Sequence, residues 1–123
     1  MDRKTLISVT LAGTVAQLAM IALGHFIPVV RDHVFAVGGM LISLIAGGAY
    51  QRLAGGGWSA TLIGGAIAGG VGAFIGILAS AALGDTPVIV VAFGTLASTV
   101  AGIAGAALVR AVGQGKAQPA PPM

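Results

Sequence analysis

Residues 59–83 read SATLIGGAIAGGVGAFIGILASAAL. The stretch carries no charge, and it exceeds the roughly 20 apolar residues that a helix needs to cross a hydrocarbon core about 30 Å thick. Its small residues keep a period of four: Ala60, Gly64, Ala68, Gly72, Gly76, Ser80 and Gly84. Side chains four apart share one face of a helix, so this spacing predicts a helix with a smooth ridge along its length. Working outward, three further apolar runs cover 5–24, 34–53 and 87–111. Their only charges are Arg52 and Arg110, at the ends of their runs. None alternates in polarity as a membrane β-strand would, and only helices and closed barrels satisfy the backbone inside lipid. The expected fold is an all-α integral membrane protein. It is a compact antiparallel bundle of four transmembrane helices, about 5–24, 34–53, 59–83 and 87–111, with Gly-rich interfaces.

The composition agrees. The chain has 123 residues, 57% hydrophobic and 7% charged, where a soluble domain carries about 25% charged residues. Its 21 glycines would each cost about 1 kcal/mol in a soluble helix. In lipid they let two backbones approach closely. The net charge is +3, but the basic residues stand singly along the chain, which argues against nucleic acid as a partner. With no cysteine there is no disulfide and no thiolate metal site or nucleophile.

Residues 1–113 form one domain in this reading, and the polar, Pro-rich 114–123 (QGKAQPAPPM) a disordered tail. The connectors are short: His25 to His33 with Pro28, then Ala54 to Trp58 with three consecutive glycines, then Gly84 to Thr86. Pro87 suits the first position of the last helix, with Thr86 or Asp85 as its cap. Arg3, Lys4, Arg52, Arg110 and Lys116 fall on one side and only Arg31 on the other. The Lys/Arg bias therefore puts both termini in the cytoplasm and suggests a bacterial cytoplasmic (inner) membrane. It also puts Tyr50 and Trp58 at the cytoplasmic interface. Offset by 56 residues, Thr5-Leu6-Ile7 matches Thr61-Leu62-Ile63 and Ala12-Gly13 matches Ala68-Gly69, too few identities in a narrow alphabet to separate duplication from chance.

Candidate functional residues fall into three groups. Gly64, Ala68, Gly72, Gly76 and Ser80, with Gly94, Ser98 and Gly102, are candidates for helix packing. The third helix has small residues on more than one face, so a surplus face could build a homo-oligomer. Thr10, Thr14 and Gln17 make a polar stripe on one face of the first helix, a possible pathway or simply hydrogen-bonding groups. His25, Arg31, Asp32, His33 and Asp85 gather outside, but their spacing matches no metal-ligand motif. Asp32 is the expected cap of the second helix. No charge lies at mid-depth, where proton relays and ion paths place one. Small multidrug-type exchangers need a carboxylate in the first helix, and this chain has none. Fluoride-channel-type proteins carry a glycine–arginine signature and phenylalanine boxes that it does not reproduce.

No catalytic constellation, metal site or cofactor is expected. The leading expectation is a small non-enzymatic multi-pass protein that acts through helix packing, as a homo-oligomer or as an accessory subunit of a membrane complex. The alternative is a small channel or facilitator, with a holin-like pore as a weaker variant. Arg3, Lys4, the first apolar run and Ala22-Leu23-Gly24 share the make-up of a signal peptide. The run is long for one and contains Gln17, so the first span is expected to be retained. Mass spectrometry of the purified protein is expected to find residues 1–24 still attached; a mass lacking them would remove the first span.

Overall fold

The structure, a computed structural model, describes the backbone of residues 2–117 and their side chains except those of 31–33 and 114–117. The described residues form five helices: α1 (Arg3–Phe26), α2 (Pro28–His33), α3 (Phe35–Ala54), α4 (Trp58–Ala82) and α5 (Ile89–Ala117). Three of them, α1, α4 and α5 as far as Gly113, are long and apolar enough to cross a membrane. α3 has 20 residues, with Tyr50, Gln51 and Arg52 near its C-terminal end, and is not one of these three.

The helix ends have local causes. Asp2 caps α1: its carboxylate accepts from the Thr5 N–H at 3.1 Å and from the Thr5 hydroxyl at 2.8 Å. These bonds from Thr5 hold the Asp2 carboxyl below its ordinary range. α1 stops at Phe26 because Ile27, before Pro28, is extended, and Pro28 then opens the short α2. α3 stops at Gly55, whose φ of 66° suits glycine and strains most other residues.

Two boundaries differ from the sequence reading. α5 begins at Ile89, two residues after Pro87, and a turn leads into it, with the Val90 N–H donating to the Pro87 carbonyl at 3.0 Å. The Asp85 carboxylate meets His25, and the Thr86 hydroxyl meets Ser80 at 2.6 Å. At its other end α5 runs through Ala117, into the segment assigned to the tail. Residues 118–123 lie outside the described ones. The Asp32 carboxylate, expected to cap the second helix, also lies outside them. α3 begins after Val34 with no side-chain cap.

The registers between helices define the bundle. Gly72 of α4 faces Thr14 and Gly76 faces Gln17, so α1 and α4 run in the same direction. Gly47 faces Gly102 and Gly48 faces Gly105, so α3 and α5 also run together. Gln17 meets Gly39 and Ser43, and Gly69 meets Ser98 and Gly102, so α1 opposes α3 and α4 opposes α5. α1 packs on one side of the α3/α4 pair and α5 on the other.

Glycine makes that packing possible. A Cβ on Gly47 would fall on the Gly102 carbonyl. One on Gly69 would lie 2.7 Å from the Gly102 Cα, and one on Gly65 2.7 Å from its carbonyl oxygen. One on Gly105 would fall on the Leu44 carbonyl. These are backbone atoms, so no rotamer change could relieve the clash. The ridge of residue 64 and the ridge of residue 65 serve different neighbours. Gly64 faces the Tyr50 ring, Ala68 joins a buried cluster with Val9, Ala46 and Tyr50, and Gly72 and Gly76 face α1. Gly65, Gly69 and Gly70 face α5.

The Gly102 backbone therefore cannot accept a side chain, whereas Gly113 has open space around its Cβ direction. Gly102→Val is expected to destabilise the bundle by about 3 kcal/mol or to prevent folding, in line with overpacking of a filled core. Gly113→Ala should not lower stability. Unfolding titrations in mild detergent measure both, and equal stability for the two variants would contradict this packing.

Candidate functional site

Where α3 and α5 leave the Gly47–Gly102 contact toward their N-terminal ends, they diverge. Between them lies a cavity of about 490 Å³. Its back wall is α1, through Gln17, Met20 and Ile21. Its sides are α3, through Phe35, Gly39 and Met40, and α5, through Val90, Phe93 and Ala97. Ala73, Ile77 and Ser80 of α4 complete it, with Asp85 and Thr86 at its mouth. Met40, Val90 and Phe93 are also exposed on the outside of the bundle. The cavity is thus a cleft opening sideways between α3 and α5, at the end remote from Arg3, Lys4, Arg52 and Arg110.

Polar groups occupy two levels of this cleft. Nine residues separate Gln17 from the end of α1, and nine separate the start of α5 from Ser98. At 1.5 Å per residue both lie roughly 14 Å in from the mouth, about half the hydrocarbon thickness. Gln17 is 3% exposed and Ser98 4%. Gln17 Nε2 donates to the Gly39 carbonyl at 3.0 Å and to Ser43 Oγ at 3.3 Å. Ser43 Oγ in turn donates to the Gly69 carbonyl at 2.9 Å. The chain runs in one direction from α1 through α3 to α4. It also fixes the amide orientation, because a carbonyl at Gly39 requires an N–H opposite it.

At the mouth, His25 Nδ1 lies 2.8 Å from Asp85 Oδ2. The pair ties the end of α1 to the loop between α4 and α5. Sequence spacing alone could not have paired two residues 60 positions apart. The side chains of Arg31, Asp32 and His33 lie outside the described residues. Among those described, no three His, Cys, Asp or Glu side chains converge.

The rest of the polar stripe turns inward on its own helix. Thr14 Oγ1 donates to the Thr10 carbonyl at 2.7 Å, and its backbone packs on Gly72. Thr10 Oγ1 is buried with no hydrogen-bond partner among the described residues. Of the packing candidates, Gly64, Ala68, Gly72, Gly76 and Gly102 sit at helix contacts. Gly94 and Ser98 line the cleft, and so does Ser80 near its mouth.

The opposite end is closed. Tyr50 is fully buried, not spread at an interface, because Gly64 leaves the space its ring fills. Its hydroxyl has no hydrogen-bond partner among the described residues. Thr61 Oγ1 lies 2.6 Å from Gln51 Oε1 and 2.9 Å from the Gly57 carbonyl. The half-exposed Trp58 ring lies 4.7 Å under the Arg110 guanidinium, which also donates to the Gly56 carbonyl. No family model, curated protein or solved structure matches the chain.

Removing the amide isolates its contribution. Gln17→Leu keeps the volume but removes the second donor to the Gly39 carbonyl and the donor to Ser43. It is expected to cost about 1 kcal/mol, the scale of a polar contact between membrane helices. Denaturant titration in detergent reads it; a variant as stable as the parent would show that the Gln17–Ser43–Gly69 chain contributes nothing.

Proposed function

We propose that the chain crosses the membrane four times with both termini cytoplasmic. We propose further that it acts there without catalysis, as an accessory or binding subunit that engages other membrane components. The fourth span is α3. Its outward side chains Val37, Leu41 and Ile45 are apolar and exposed over more than two turns. Its inner face is locked to α1, α4 and α5 by Gly39, Ser43, Gly47 and Gly48. A helix so placed shares the depth of its neighbours, and its polar last turn then reaches the headgroups where Arg3, Lys4 and Arg110 also lie.

The observation that carries the functional reading is the one-ended cleft. It is open at one end and at its side, and below Gln17 and Ser98 the backbone contacts of Gly102 close the bundle. Such a shape favours holding a molecule over passing one through. A homo-oligomer loses the motive it had in sequence, because each of the six glycines of α4 has a neighbouring helix against it within the protomer. The large side chains Leu62, Ile63, Val71, Phe74 and Leu78 make up its outer face.

Two measurements test this. Single cysteines at Val29, Gly56 and Gly113, in the naturally Cys-free chain, are treated with a membrane-impermeant maleimide on intact cells. Only Val29→Cys is expected to react; equal labelling of Val29→Cys and Gly56→Cys would put α3 outside the membrane. Proteoliposomes are expected to hold a proton or potassium gradient as long as empty vesicles do. A leak abolished by Gln17→Leu would replace the binding role with conduction.

A further inference from the structure

We infer that the cleft between α3 and α5 is a binding site for a small neutral amphiphile: an apolar body carrying one hydroxyl group, taken up sideways from the surrounding lipid. This rests on the binding role proposed above and names the chemistry of its ligand.

The floor of the cleft supplies the recognition. Both hydrogens of the Gln17 amide are directed at α3, and the Gln17 Oε1 atom takes part in no hydrogen bond among the described residues. The Ser98 hydroxyl likewise has no partner among them. Both residues line the same cavity. The floor therefore offers an acceptor that cannot also donate and a hydroxyl that can do both. A ligand hydroxyl matches this pair, donating to Gln17 and accepting from Ser98. A ketone or ether could use only Ser98, and a hydrocarbon neither. At a depth of about 14 Å in lipid, such groups gain from a partner because no bulk water competes.

Charge and shape set the rest. Among the described residues Asp85 is the one ionisable residue lining the cavity, and His25 lies against it. A charged ligand would lose its hydration without finding a counter-charge at the floor. Met20, Met40, Ile77 and Phe93 make the walls apolar, and methionine and phenylalanine adapt to ligands of irregular outline. A cavity of about 490 Å³ falls within the usual range for small-molecule sites. Exposure of Met40 and Phe93 on the outer surface gives a route from the lipid that bypasses the aqueous mouth.

Photolabelling of the purified full-length protein in detergent tests the site. The probe is an octanol bearing a diazirine on its chain; the control is the corresponding diazirine octane without the hydroxyl. The alcohol is expected to label Met20, Met40 or Phe93 saturably, and unlabelled octanol should compete. The hydrocarbon should label without saturation. Ser98→Ala is expected to raise the half-saturating alcohol concentration about five-fold, the effect of one lost hydrogen bond. Ala36→Phe, at an exposed position on the rim of the cleft, should lower labelling at least five-fold while preserving the fold. Equal labelling by alcohol and hydrocarbon, or labelling unchanged by both substitutions, overturns the assignment. Topology does not enter this measurement. Failure here with Val29 outside and Gly56 inside removes the ligand and keeps the four spans; the reverse result removes the topology and keeps the site.

Discussion

The structure depends on a backbone contact: Gly102 of α5 lies against Gly47 of α3 and against Gly65 and Gly69 of α4. Lipid tails are as apolar as leucine, so helices in a bilayer gain nothing by hiding apolar side chains from solvent. They gain from close van der Waals contact and from hydrogen bonds. Four glycines from three helices meeting at one level bring main chains nearer than any side chain would allow. The contact holds α5 against both α3 and α4. α1 is secured separately, through Gly72, Gly76 and the hydrogen bonds of Gln17.

The cleft is a geometric consequence of that contact. Two helices pressed together at Gly47–Gly102 and Gly48–Gly105 can stay parallel only if small residues continue along both. Toward the mouth large residues enter on both, Phe93 and Val90 on α5 and Met40 and Phe35 on α3, and the pair splays. The Gln17–Ser43–Gly69 chain sits at the level where the splay begins. It joins α1, α3 and α4 there, so the cleft ends at a polar floor and not in a tapering apolar seam.

Much of this was legible in sequence, for physical reasons. Helix ridges follow from spacing alone, so the four-residue period of Gly64 to Ser80 marked a packing face without knowledge of its neighbour. The choice of neighbour is a three-dimensional matter. Nothing local says that Gly64 faces a tyrosine while Gly65, one residue on, faces α5. The polar stripe was visible too, but Thr14 bonds within its own helix and Gln17 across to α3, a difference set by the register of α1 on α3. Asp85 read as a helix cap because it stands just before Pro87; that its carboxylate also meets His25, 60 residues away, is a matter of the fold. Tyr50 read as an interface aromatic because it stands beside Arg52; the absence of a Cβ on Gly64 made room for it inside.

α3 shows why hydropathy and packing give different answers about a span. Averaged along the helix, Tyr50, Gln51 and Arg52 weigh against membrane crossing. Taken one by one, they weigh little. Tyr50 is fully buried and Gln51 is bonded to Thr61, so neither presents a polar surface to lipid. Arg52 lies two residues from the end of the helix, where a long side chain extends to the headgroups. What faces outward over the remainder is Val37, Leu41 and Ile45. A bilayer responds to the surface a helix presents and not to its composition. On that measure α3 resembles its three neighbours, which is the physical basis for proposing it as a fourth span.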